Sequence, residues 1–397
     1  MEAVAPRRGR ALEDPAEPPV LRLVDVGQPP VEPAYGSADR LVRSAERHNR
    51  EGDFTAALEV MERAWPLLDQ GARPDVVLRA LETEAWARMY TGELARSLEL
   101  LQRARTLAER PQFTDVDRAE VLYRIGCCRT KLSQVAQAVE LFILALDLCN
   151  TTHLPCDRLR VEIFEWRSRC YQRQGDLEAA RSDVERALEL AERLGDRHSA
   201  AHVYFQASLV AERTKQWHLA RYYADEARAI YEHVGDRANL ARMLNNLGGI
   251  NFLLGNAELA VTNLTDAFRV ALDAECEMEA AQAVSSLAQV HLRSGDHVRA
   301  EEQARHALEL LDGRADFRDE IGNCKLVLGK ALLAQGNDAE AEACFADAED
   351  DFSTLGSAGH SAAAWMAQGE LAAGRGEPER AVELYRRAAE ALQDLHF

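Results

Sequence analysis

Apolar residues recur at helical spacing along most of the chain, and the stretch from Gly235 to Ala267 shows the pattern most fully. Leu240, Met243, Leu244, Leu247 and Ile250 line one face of a helix running from about Asn239, and Gly255-Asn256 ends it with a residue that accepts a left-handed cap. Ala260, Val261, Leu264, Ala267 and Phe268 then share a face of a second helix starting near Glu258, so the stretch predicts a helical hairpin with a short turn. Gly248, Ala260 and Ala267 are its contact seam, because two backbones approach closely only where no bulky side chain separates them.

The hairpin repeats. With Gly255 as the turn, equivalent positions fall at Gly52, Gly92, Ser133, Gly175, Lys215, Gly295, Gly336 and Gly376, always 40 to 42 residues apart. Twelve residues after each turn stands alanine: Ala64, Ala104, Ala145, Ala187, Ala227, Ala267, Ala307, Ala348 and Ala388. Seven residues before it the side chain is again small, at Ala45, Ala85, Gly126, Ser168, Ser208, Gly248, Ala288, Gly329 and Gly369. A third small column, five after the turn, holds Ala57, Ser97, Ala138, Ala180, Ala220, Ala260, Ala300, Ala341 and Ala381. Three registered columns over nine copies predict an all-α chain built from about nine hairpins.

These columns resemble the tetratricopeptide repeat, whose small residue in the first helix, glycine before the second and two alanines within it hold the same relative places. The resemblance covers residues 37 to 392. The usual repeat is about 34 residues. The longer period here, with the connectors Leu194-Gly195-Asp196-Arg197 and Val234-Gly235-Asp236-Arg237, is similar to the long-repeat subgroup of peptide-sensing bacterial regulators, kinesin light chains and polarity adaptors. HEAT and armadillo repeats share the period but not the glycine-to-alanine registry. The resemblance implies a right-handed α-solenoid over residues 37–397, with the first helix of each hairpin lining a concave groove.

Residues 1–36 differ from the rest. They hold seven of the twelve prolines and are expected to be a disordered tail, within which Val20–Val24 reads as a linker rather than as a pairing strand. At the other end, Leu384, Ala388, Leu392, Leu395 and Phe397 are expected to lack a covering repeat, which points to a homodimer through the last helix or to a partner that caps it. Between Asn337 and Phe352 seven acids occur without a base and read as a solvated outer helix face.

Charge narrows the function classes. The chain of 397 residues carries 66 acidic and 47 basic side chains, a formal charge of -19, which argues against direct nucleic-acid binding. Neither a signal core after Met1 nor an apolar run of 18 residues appears, so a cytoplasmic, non-membrane protein is expected. The eight cysteines include no C-x-x-C pair and read as reduced thiols. His198 and His202 have the i, i+4 spacing of a metal pair, but no acid or cysteine joins them at a recognisable spacing, and they read as groove and surface histidines with no metal or cofactor. Every glycine is accounted for by a turn or a helix contact, and no nucleophile triad or H-E-x-x-H occurs, so no enzyme is expected.

The resemblance places residues 13, 10, 9, 6, 3 and 2 before each turn in the groove. These positions hold eleven bases (Arg43, Arg50, Arg79, Arg124, Lys131, Arg169, Arg173, Arg213, Arg242, Arg293, Lys330) and eight acids, a local +3 in an acidic chain. Trp86, Tyr90, Tyr123, Trp166, Phe205 and Phe252 lie among them, and aromatics beside arginine are the usual makings of a protein-binding hot spot. Asn245 and Asn246 add amides, and the resemblance implies that Asn246 clamps a peptide backbone with a donor and an acceptor at once. The expected site is therefore Trp86, Tyr123, Arg124, Lys131, Trp166, Arg169, Arg173, Phe205, Arg213, Arg242, Asn245, Asn246 and Arg293, acting as a non-catalytic scaffold for a protein or an acidic peptide. A sensing module of a bacterial regulator that works through a partner, and a structural assembly subunit, are the alternatives.

Overall fold

All nine predicted turns are made by a residue in the left-handed region. Gly52, Gly92, Gly175, Gly255, Gly295, Gly336 and Gly376 have φ between 75° and 89°, and Ser133 and Lys215 adopt φ 59° without the licence of a missing side chain. The computed structural model describes residues 34–68, 72–314 and 317–393, in which eighteen helices and no strand are found. These residues divide into two units, one ending at Glu93 and the other beginning at Leu94.

The first unit contains α1 (Ala34–Glu51), α2 (Phe54–Leu68) and α3 (Pro74–Tyr90). Ala38, Val42 and Ala45 of α1 pack with Ala57, Met61 and Ala64 of α2 and with Val76 and Ala80 of α3. Arg79 of α3 reaches back to α1, donating to both Glu46 oxygens at 2.8 Å and to Asp39 at 2.9 Å. The expected proline-rich tail lies almost wholly outside the described residues, and α1 already begins at Ala34.

The second unit runs through α4 (Leu94–Ala108), α5 (Asp115–Lys131), α6 (Val135–Thr151), α7 (Asp157–Gln174), α8 (Leu177–Leu194), α9 (Arg197–Arg213), α10 (Trp217–Val234), α11 (Arg237–Leu253) and α12 (Ala257–Asp273). It continues with α13 (Glu277–Arg293), α14 (His297–Leu310), α15 (Arg318–Ala334), α16 (Asp338–Thr354), α17 (Ala358–Gly374) and α18 (Pro378–Gln393). From α5 onward each odd helix pairs with the even helix that follows, giving an α-solenoid. Odd helices also touch the next odd helix (α5 on α7, α7 on α9, α11 on α13, α13 on α15, α15 on α17), while even helices make their main contacts with odd ones. The more closely spaced layer is the inside of a curve, so the odd helices form the concave face.

Within each unit, the small columns are the seam of the helix pairs. The alanines twelve after the turns are 0–2% exposed, and those five after it 0–4%. Where glycine stands seven before the turn, the residue nine after it is large and fills the space. An added Cβ would meet the Phe142 ring 2.6 Å from Gly126, Leu264 Cγ 2.5 Å from Gly248, the Phe345 ring 2.5 Å from Gly329 and the Tyr385 ring 2.6 Å from Gly369. Where serine or alanine stands instead, at Ser208 and Ala288, the residue nine after the turn is the buried Ala224 or Ala304. In these repeats a smaller residue on the first helix is matched by a larger one on the second, while Ala45 and Ser168 stand in register with the buried, intermediate-sized Met61 and Val184.

Two junctions between hairpins are short because a glycine ends one helix and the aspartate after it caps the next. Gly195 (φ 66°) and Gly235 (φ 75°) end α8 and α10. The next residues, Asp196 and Asp236, cap α9 and α11 by accepting from Ser199 N at 3.2 Å and Asn239 N at 3.1 Å.

Two expectations are corrected. The acidic run of α16 is not simply solvated: Glu342 is bonded by Arg375 at 2.5 Å and Arg380 at 3.0 Å, Glu340 by Arg305 at 2.6 Å and Asp351 by Lys325 at 2.7 Å. Those bases come from α14, α15, the residue that caps α17, and α18, whose spatial proximity the linear run does not reveal. The last helix is also less bare than its sequence suggests, because Leu384 (7%) and Ala388 (2%) are buried in its own unit. The large apolar side chains that α18 leaves exposed are Val382, Tyr385 and Leu392, among Glu383, Arg386 and Glu390, which pair with one another. Leu395 and Phe397 lie outside the described residues. No helix of the described residues is long and apolar enough to cross a membrane.

The seam makes a direct prediction. Gly248→Ala should destabilise the protein by about 1–3 kcal/mol through overpacking against Leu264. Combined with Leu264→Ala, which recreates the pairing found at Ala288 and Ala304, its cost should shrink, giving a favourable coupling of about 0.5–3 kcal/mol. Strictly additive changes in thermal or urea unfolding would show that the two positions do not share a seam.

Candidate ligand-binding groove

Residues two before the turns end the odd helices, where unpaired carbonyls and the negative end of the helix dipole favour a cation. Lys131, Arg173, Arg213 and Arg293 all occupy this place. In the concave face each arginine reaches one repeat back. Arg173 Nη1 donates to the carbonyl of Thr130 at 2.8 Å, Arg213 Nη1 donates to that of Gln172 at 3.2 Å, and the Arg293 guanidinium lies 4.8 Å from the centre of the Phe252 ring. Each contacted residue stands three before the preceding turn, so the contacts form a periodic staple along the ends of the odd helices. Sequence reasoning found these cations but not their partners.

Other predicted residues are engaged more fully. Arg169 donates to Glu165 Oε1 at 2.6 Å and lies 5.0 Å from the centre of the Trp166 ring. With the Gln206 amide turned to present its oxygen, Arg169 also donates there at 3.0 and 3.2 Å. Arg124 donates to Glu120 at 2.6 Å, and Arg242 to the largely buried Glu279 of α13 at 2.8 Å. These pairs neutralise part of the positive charge that the sequence count assigned to the groove. Tyr123 and Trp166 are buried, and Phe205 is half-buried, so the aromatics act as floor more than as exposed platform. Trp86 belongs to the first unit, where its ring is 5.4 Å from that of Tyr90 and Tyr90 stacks on Phe54 at 4.4 Å.

The two asparagines differ. Asn246 Nδ2 donates to Ser208 Oγ at 2.8 Å and ties α11 to α9, so half of the expected clamp is committed within the protein. Asn245 Oδ1 is buried and accepts no hydrogen bond among the described residues, as Gln172 Nε2 donates none. An orphaned buried amide is costly unless a ligand or water completes it.

Lys131, Arg173 and Arg213, at the ends of α5, α7 and α9, are exposed, as is Arg293 at the end of α13. Burial, with repulsion from Arg169 and Arg173, holds the Lys131 ammonium below the usual lysine range. The hydrogen bonds of Arg173 and Arg213 here go to main-chain carbonyls, and Glu212 beside Arg213 feels its charge.

Deeper in the groove burial pushes the Glu162 carboxyl up to about 7, against the pull of Arg124 and with Glu120 adding repulsion. Arg158 stands 3.7 Å from it, and 38% of the side chain meets solvent, so water screens the effect. A carboxyl whose folded pKa lies above its unfolded value stabilises the fold below the unfolded pKa and loses that contribution as pH rises through the folded one. Relative to Glu162→Gln, the wild type should lose thermal stability between about pH 4.5 and pH 7 and hold a constant offset above. Parallel melting curves for the two proteins across that window would refute the assignment.

No curated protein sequence matches the chain. In solved structures it is similar to a Rap protein complexed with competence and sporulation factor, at 14% identity and a TM-score of 0.60 over 91% of this chain and 99% of that one. It is similar to the apo form of the quorum sensor NprR from B. thuringiensis, at 12% identity and a TM-score of 0.65 over 90% and 98%. It is also similar to aspartyl phosphate phosphatase F from Bacillus subtilis, at 15% identity and a TM-score of 0.59 over 90% and 94%. The tetratricopeptide repeat pattern matches residues 160–233, 208–273, 239–313 and 326–395, more than half of the sequence. With these matches, the left-handed turns and the buried seams, the chain belongs to the tetratricopeptide repeat family.

Proposed function

We propose that the protein is a non-catalytic scaffold that binds an acidic peptide or partner segment on the concave face of its second unit. The observation that carries this reading is the exposed cluster of Lys131, Arg173 and Arg213, whose arginines are held in place by backbone carbonyls. A carboxylate side chain or chain terminus of the ligand pairs with these cations. Buried Trp166 and half-buried Phe205 give the same surface an apolar floor.

A second reading makes the solenoid a sensing module that passes ligand binding to a partner protein. Its support is the fold likeness to the quorum sensor NprR and to the Rap protein complexed with competence and sporulation factor. Because another similar structure is a phosphatase by name, release of phosphate from acetyl phosphate separates a catalytic reading from both; we expect none.

Fluorescence anisotropy with labelled Glu/Asp-rich peptides tests the proposal. Lys131→Ala with Arg213→Ala should weaken binding roughly two- to thirtyfold, as expected for losing two partly exposed charge contacts. Binding should also fall as ionic strength rises towards physiological, where the screening length is about 8 Å. Selection of basic peptides, or an affinity indifferent to salt and to these substitutions, would remove the acidic-ligand reading.

A further inference from the structure

His198 and His202 stand one turn apart on α9, and the fold brings Asp236, at the start of α11, to the same point. We propose that His198, His202 and Asp236 form a binding site for a divalent transition-metal ion, best suited to Zn²⁺, that pins α9 to the α10–α11 junction.

The geometry has three parts. First, the two Nε2 atoms are 3.2 Å apart, and a ligand atom from each of the three residues lies within 4.8 Å of the others. Two nitrogens bound tetrahedrally to one zinc at about 2.0–2.1 Å stand about 3.3 Å apart, so the imidazoles need little movement, and a rotation of the carboxylate completes the set. Second, the outer contacts already orient the ligands. The hydroxyl of the fully buried Tyr231 is 3.1 Å from His202 Nδ1, which directs Nε2 at the shared point. Asp236 accepts from Asn239 N at 3.1 Å and Asn239 Nδ2 at 2.8 Å, two of the roughly four lone-pair directions of a carboxylate. Third, the donor set is two imidazoles and one carboxylate, a combination that zinc accepts with a fourth position left for water or an incoming ligand. Asp176, Asp196 and Asp296 cap helices in the same way as Asp236, but the cluster of convergent ligand atoms involves Asp236 alone of the four.

The sequence discounted this pair because no acid stood at a recognisable distance along the chain. The third ligand comes from the next repeat, where the Gly-Asp junction puts it beside the histidines. The site does not depend on the peptide-binding reading.

The test uses the full chain, freed of metal with a chelator and titrated with Zn²⁺ against a chromophoric competitor. One equivalent should bind and raise the melting temperature. Exposed His198→Gln, and Asp236→Asn, which keeps a competent helix cap, should each weaken binding by more than about a hundredfold, while Tyr231→Phe, which removes an outer contact, should cost about 10- to 100-fold. Asp296→Asn should leave zinc affinity unchanged. Co²⁺ should give visible bands of tetrahedral nitrogen–oxygen coordination. Absence of a tight equivalent, equal binding by the His198→Gln and Asp236→Asn variants, or a thiolate charge-transfer band that moves the metal to the cysteines would each overturn the proposal.

Discussion

Close approach of two helix backbones at a small residue is the constraint on which the rest of the structure depends. A helix pair in this chain is not held by one large apolar cluster but by a seam where alanine, serine or glycine removes the spacer between the backbones. The gap left by glycine admits Phe142, Leu264, Phe345 or Tyr385, whereas Ser208 and Ala288 are matched by the small, buried Ala224 and Ala304. Once the seams fix each hairpin, curvature follows from which layer stacks more closely, and the concave face inherits its side chains from fixed positions on the odd helices.

Function in this arrangement is a matter of what the concave side chains have left over after stabilising the stack. Arg242 and Arg124 are spent on Glu279 and Glu120, and Arg169 on Glu165, Trp166 and Gln206. Arg173 and Arg213 are positioned by main-chain carbonyls, which holds their charge in a defined place. The distinction is between a cation that closes a contact and one that is aimed.

The fold was legible because its signal is periodic. Even the turns at Ser133 and Lys215, which carry no glycine, were located by register and adopt φ 59°. The candidate groove was legible only as a set of columns, since the staples from Arg173 to Thr130 and from Arg213 to Gln172 depend on the rotation between repeats. The regular presence of a base two before the turn was the available clue. Asp236 beside His198 and His202, and the bases that neutralise the acids of α16, were hidden for the same reason: they join residues from different repeats at no fixed spacing.

The Gly195-Asp196 and Gly235-Asp236 junctions bear on how such a chain can change length over evolutionary time. Each ends one helix and begins the next without a spare residue, so an insertion there removes either the left-handed stop or the start of the following helix. The link between α4 and α5 is different: residues 109–114 separate the helices, and the reciprocal bonds between Thr114 and Asp117 restart α5 independently of what precedes them. Insertions and deletions are tolerated best at a junction of the second kind, whereas a change at a Gly-Asp junction disturbs two helices at once.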